Sequence, residues 1–183
     1  MFSSISKVKW DELQQAHGKA THVPSALSDL ISGDSQKEED AYWKLDNHVV
    51  LQGDLYESAF HILPFLYEIL GSEVTNGRER VYDLLFEIAN GYEAQEVSCQ
   101  LNGEILSLTD ACRKSIVQQK DLFFKEVFDT SSRYRSKALE LLSSFDEVKN
   151  DVIEKLSSIK STEQDKSFES ELSEIIEALK SEM

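Results

Sequence analysis

Residues 56–70 read YESAFHILPFLYEIL. Ala59, Phe60, Ile62, Leu63, Phe65, Leu66, Tyr67, Ile69 and Leu70 carry apolar surface nearly all the way round a helical wheel. A helix of that kind has no face to give to water, so it belongs at the centre of a folded unit. Gly71 ends it. Pro64 inside it removes one backbone donor and clashes with the turn before, at about 3 kcal/mol, which predicts a helix kinked or split at Leu63. The rest of the chain has to supply the helices that cover this one.

On the N-terminal side, Trp10, Leu13 and Ala16 predict a short helix from about Lys7 to His17, stopped at Gly18. Pro24 suits the first turn of a second helix carrying Leu27, Leu30 and Ile31 and ended by Gly33. Ser35 with Glu38 is a capping-box pattern, and Ala41, Tyr42, Leu45 and Val49 follow on one face, predicting a third helix over 35–51. On the C-terminal side, Val81, Leu84, Leu85, Ile88 and Ala89 mark a helix over 77–90, capped by Asn90-Gly91. Residues 92–108 have no clear period; Asn102-Gly103 fits a hairpin or a loop, and the loop is preferred. A long helix capped by Thr109 is expected to run to about Asp129. Another starts at Ser131 or Ser132 and passes through Leu142, and a Ser144/Glu147 capping box opens one carrying Val148, Val152, Leu156 and Ile159. The last opens near Thr162, with Phe168, Leu172, Ile175, Ile176 and Leu179 as its stripe.

The reading is all-α and a single domain over residues 1–183. About nine helices, arranged as short-loop pairs of about 35 to 45 residues, predict a HEAT- or armadillo-like helical repeat solenoid. An irregular helical bundle satisfies the same periodicities. Composition agrees with the class: 40% hydrophobic residues support a packed core, while 7 Gly and 2 Pro in 183 residues leave little punctuation for an all-β fold.

Acids outnumber bases 34 to 19, a formal charge of −15. That charge repels nucleic acid and anionic lipid, so neither is expected as a partner and a charged partner should be basic. Lys7, Lys9, Asp11 and Glu12 interrupt any secretory h-region. No stretch reaches the roughly 18 to 20 apolar residues that span a bilayer. Cys99 and Cys112 have no CxxC or zinc-ligand spacing. A reducing, cytoplasmic setting is expected.

Five short motifs occur in order: His17-Gly-Lys-Ala-Thr-His-Val-Pro24, Leu27-Ser-Asp-Leu30 with Gly33-Asp34, Ala41-Tyr-Trp-Lys-Leu45, Gln52-Gly-Asp-Leu-Tyr56 and Ile62-Leu-Pro-Phe-Leu66. Together, over about residues 10–90, they resemble bacterial HEAT-repeat-like proteins, some of which look like immunity proteins encoded beside toxins. The resemblance implies a helical-repeat fold and no catalytic residues, with Gln52, Gly53, Tyr56 and Pro64 at turn and helix-packing positions. Ala59-Phe60 departs slightly from the family's small-residue run. Beyond about residue 110 the resemblance ends.

Enzyme chemistry finds little support. The histidines at 17, 22, 48 and 61 form no HExxH or Glu-x-x-His pattern, and no metal or cofactor is expected. His48 and His61 flank the Gln-Gly turn on successive helices and could approach each other, but buried or capping histidines are the better reading. No G-x-S-x-G elbow and no phosphate-binding glycine loop occur. Cys112 lies beside Arg113 and Lys114, which favours a thiolate, but a packed cysteine is the better reading.

Charge is unevenly spread. From Asp29 to Phe60 eight acids face Lys37 and Lys44, a local balance of −6, while Ala111 to Lys137 carries seven bases against three acids, or +4. The basic stretch is expected to pair with the acidic C-terminal helices. The expected function is non-catalytic protein binding, most concretely an immunity-type inhibitor docking a basic toxin through Asp34, Glu38, Glu39, Asp46, Asp54 and Glu57, with Gln52 in the turn and Trp43 and Tyr56 as aromatic anchors. The alternatives are packing roles for Trp43 and Tyr56, and a general scaffold or adaptor that binds a peptide in a groove.

Overall fold

The computed structural model describes residues 1–181 as a mostly helical fold with nine α-helices and five short strands. The chain groups into two compact units, Met1–Gln118 and Gln119–Met183.

In the first unit, α1 (Val23–Leu30) begins with Pro24 in its first turn and packs against α2 (Ser35–Val49). The cap of α2 lies one residue earlier than the expected box. Asp34 accepts the N–H groups of Gln36 and Lys37 at 3.1 and 3.2 Å, and Glu38 reaches back to the Gly33 N–H at 2.9 Å. A carboxylate meets the positive helix end better than the Ser35 hydroxyl does. A hairpin of β1 (Val50–Leu51) and β2 (Asp54–Leu55) follows, turning at Gln52 and Gly53 with φ of 55° and 87°. The central helix α3 (Glu57–Leu70) buries Ala59, Ile62, Leu63, Phe65, Leu66, Ile69 and Leu70, as its all-round apolar pattern requires.

Of the kink or split expected at Leu63, the split does not occur; α3 is one helix through Pro64. Pro64 lies on the exposed side, so the Phe60 carbonyl that loses its donor can turn to water. The C-terminal carbonyls of α3 are served by Arg78, whose guanidinium donates to Ile69 and Leu70 at 3.3 and 3.1 Å and to Ser72 and Val74 at 3.4 and 3.3 Å. Arg78 opens α4 (Arg78–Asn90), which packs on α3 and α2. β3 (Tyr92–Glu93) then adds in parallel to β2.

Two expectations for this unit are corrected. Residues 7–17 form no α-helix: a 3-10 turn at Ile5–Lys7 leads into turns and a Gln14–Lys19 bridge. Three apolar residues cannot support an isolated short helix, whereas irregular backbone lets Trp10 and Leu13 be buried. Phe2 and Trp10 both lie against Phe65, with ring centroids 6.0 and 5.9 Å away. Residues 98–107 form a hairpin rather than a loop, β4 (Ser98–Leu101) pairing with β5 (Glu104–Ser107). Asn102 and Gly103, at φ 53° and 86°, make a turn whose twist matches paired strands. Helix α5 (Leu108–Gln118) follows, its start served by Ser107, whose hydroxyl accepts the Asp110 N–H at 3.1 Å; Thr109 is not the cap.

The expected long helix to Asp129 ends at Gln118, and α6 (Lys120–Phe128) begins the second unit. Next come α7 (Arg135–Ser143), α8 (Lys149–Lys160) and α9 (Lys166–Ser181), with α6 packed on α7 and α8 on α9. Their starts differ from expectation because each predicted capping serine is otherwise engaged. Ser132 bonds Glu126 and accepts the Tyr134 N–H, and Ser144 donates to the Leu141 carbonyl at 2.8 Å. Asp165, not Thr162, caps α9 through the N–H groups of Ser167 and Phe168. Phe123, Leu139, Leu142, Phe145, Val152, Leu156 and Leu172 fill this unit's core.

Candidate functional site: an acidic face around Trp43

Packing α2 against α4 aligns the polar faces of the two helices. Glu39, Trp43 and Asp46 follow one side of α2, and Arg80, Asp83 and Glu87 recur at helical spacing on α4. Trp43 is 49% exposed, with its indole N–H on Glu39 Oε1 at 2.6 Å. The other Glu39 oxygen pairs with Arg80, which also reaches Asp83 and lies over the Tyr42 ring at 4.7 Å. Burial, then the nearby charges of Glu87 and Asp83, push the Asp46 carboxyl above the ordinary carboxylate range, although Tyr42 hydrogen-bonds it. Burial, then Asp46, Asp83 and Glu87, push the Tyr42 phenol up to about 12. The face therefore holds more negative charge than Arg80 offsets. Like charges held together in partly desolvated surroundings favour any cation that docks there.

The expected site residues divide into three groups. Glu39, Trp43 and Asp46 share this face. Asp34 and Glu38 are committed to the start of α2 through the cap bonds above. Gln52, Asp54, Tyr56 and Glu57 lie at the hairpin and the start of α3: Gln52 is exposed in the turn, Asp54 is exposed opposite Tyr92 in the parallel pair, and half-buried Tyr56 is the residue before α3. Glu57 accepts the Gln14 N–H at 3.1 Å. Asp83 and Glu87 were absent from the sequence-derived set. Their spacing four apart on the polar side of α4 was visible, but the packing that brings them to α2 was not. Tyr92, 75% exposed beside Asp54, was also missed.

His48 and His61 have different ring neighbours. His48 makes ring contact with His22 and His17, while His61 contacts Phe60 and lines a cleft of about 340 Å³ with Lys7, Lys9, Glu12, Leu13 and Glu57. Burial lowers the His61 pKa. Both cysteines are free and buried, and burial raises their thiols, Cys99 to about 11. Cys112 is thus a packed residue despite its basic neighbours; Arg113 is turned to the Ala89 carbonyl at 3.2 Å and Lys114 pairs with Glu104. In the second unit Lys120 pairs with Asp151 and Arg135 with Glu163, the internal pairing expected of the basic stretch.

Among the described residues no three His, Cys, Asp or Glu side chains are grouped to hold a metal ion, and no helix is long and apolar enough to cross a membrane. The chain matches no protein-family model, no curated protein and no solved structure.

Proposed function

We propose that this protein is a non-catalytic binding module that docks a basic protein through the α2–α4 face, most concretely an immunity-type inhibitor of a basic toxin acting in the cytoplasm. The observation that carries the reading is the half-exposed Trp43 on the same side of α2 as Glu39 and Asp46, with Glu87 and Asp83 of the packed α4 close enough to act on Asp46. An aromatic anchor on a face whose acids outnumber its one arginine suits a cationic partner: the ring supplies buried area and the acids supply steering. The packing of α1 on α2, α3 on α4, α6 on α7 and α8 on α9 supports a degenerate HEAT-like repeat arrangement.

Tagged protein recovered from its native cells at low and high salt tests the proposal. The expected result is one basic partner, lost at high salt because charge attraction between exposed groups is screened. Trp43→Ala is expected to weaken that complex by about 2 kcal/mol, and Asp83→Asn with Glu87→Gln to slow its association. Recovery of no partner, or of a salt-resistant housekeeping complex indifferent to Trp43→Ala, overturns the inhibitor reading in favour of a scaffold with an apolar groove.

A further inference from the structure

Three of the four histidines meet at one place in the first unit. His22 stands just before α1, His48 lies in the last turn of α2, and His17 sits in the turn preceding Gly18. The rings of His22 and His48 are 4.8 Å apart and those of His17 and His48 are 5.8 Å apart. His22 Nε2 lies 3.1 Å from the Lys44 carbonyl oxygen. A carbonyl only accepts, so Nε2 carries the hydrogen and Nδ1 is the atom left to take a proton. His48 Nδ1 is buried with no hydrogen-bond partner.

These rings stand beside the bonds that hold residues 14–19 in place. The His48 carbonyl accepts the Ala16 N–H at 2.9 Å, the Gln14 carbonyl accepts the Ser58 N–H at 3.1 Å, and the Gln14 N–H rests on the Glu57 carboxylate. The charged and titratable side chains that act on His22 are Lys44 and His48 of α2, and both oppose a cation there; Lys19 donates to the Glu12 carbonyl, and Glu57 of α3 keeps its charge while it accepts the Gln14 N–H. Packed neutral rings are compatible with one another, whereas an imidazolium at His22 stands against the His48 ring and Lys44, both of which oppose its charge.

We propose that the His17–His48–His22 ring contacts form an acid-released latch with His22 as its trigger: while the His22 ring is neutral the contacts hold residues 14–19 against the end of α2 and the start of α3, and protonation of His22 frees that segment. The latch goes beyond the binding function proposed above and does not depend on it. Burial, followed by His48 and Lys44, lowers the His22 pKa against the opposing Lys44 carbonyl bond. The unfolded chain therefore takes up this proton more readily than the folded one, and the latch is complete above pH 6.5 and lost as pH falls below it.

Amide hydrogen exchange of Ala16, corrected for its intrinsic pH dependence and read with the histidine ring resonances, tests this on the intact protein. Opening at Ala16 is expected to rise by about tenfold or more between roughly pH 7.5 and 5.5, in step with ring titration, while the Leu66 and Ile69 amides of α3 stay protected. His22→Gln, which keeps a donor for the Lys44 carbonyl but has no ring to titrate, is expected to blunt the rise. Three outcomes overturn the latch: an Ala16 amide that stays protected while the His22 ring titrates, core amides that lose protection in parallel, or an undiminished rise in H22Q.

Discussion

Gly77→Ala is expected to destabilise the first unit by about 3 to 5 kcal/mol, enough to leave much of the protein unfolded at moderate temperature. Gly77 sits at φ 69° immediately before α4. A left-handed backbone costs an ordinary residue about 1 to 2 kcal/mol. Steric overlap costs more. A Cβ there would collide with the Leu30 carbonyl oxygen and stand 2.9 Å from its carbon, and both belong to backbone at the end of α1 rather than to a flexible side chain. Relief requires α1 and α4 to separate, which loosens contacts that bury Leu30, Val81 and Tyr82. Gly103→Ala distinguishes backbone strain from overlap: it has φ 86° with nothing within 4 Å of its Cβ position, so about 1 kcal/mol is expected. Urea unfolding of both variants measures the difference. Equal losses would place the cost in the backbone conformation rather than in the contact with Leu30.

Arg135→Met is expected to destabilise the second unit by about 3 to 5 kcal/mol, because it strands a carboxylate that has been taken out of water. Arg135 donates through Nε to the Val127 carbonyl at 2.8 Å, pairs with Glu163, and lies 3.7 Å over the Phe168 ring. Arg135 and Glu163 expose only 9% and 5% of their side chains, so solvent screens the pair little. The Arg135 hydrogen bond, helped by the Asp165 backbone N–H, holds the Glu163 carboxyl down at about 2 against an ordinary 4.5. The folded state thus binds this proton less readily than the unfolded state. Its contribution is complete above pH 4.5 and is lost as pH falls toward about 2. Urea midpoints at neutral pH and between about pH 4.5 and 2.5 should show that acid loss in full in the parent and reduced in Arg135→Met, where only the Gln164 and Asp165 N–H groups still hold the carboxylate. The double change Arg135→Met with Glu163→Leu is expected to recover most of the stability, since an apolar pair of similar volume avoids desolvating two charges. Failure to recover would mean that the bond to Val127 and the contact with Phe168 matter more than the ion pair.

Local, repeated patterns in the sequence specify their elements directly. The helices around Leu45, Leu66, Leu85 and Leu172 are set by apolar spacing over three or more turns, and burial follows that spacing. The expected number of helices agrees with the observed one by two compensating differences. The Lys7–His17 helix is absent, and the long helix from Thr109 is two helices. The acidity of α2 was legible from composition alone. Its companion acids on α4 were not, because Asp83 and Glu87 are about 40 residues away in sequence and become neighbours only when α2 packs on α4.

By itself the sequence determined the helical class, the central place of residues 57–70 and the acidic character of the chain, since these follow from side-chain type and period along one segment. Tertiary structure decided what depends on a partner distant in sequence. It pulled residues 8–19 out of a marginal helix because burying Trp10 and Leu13 against α3 outweighs a few local hydrogen bonds. It placed β3 beside β2 through backbone bonds that no side-chain pattern announces, and it brought His17, His22 and His48 into ring contact from three separate segments. Periodicity describes which face of an element seeks burial, whereas the choice of neighbour is made by the fit of whole surfaces.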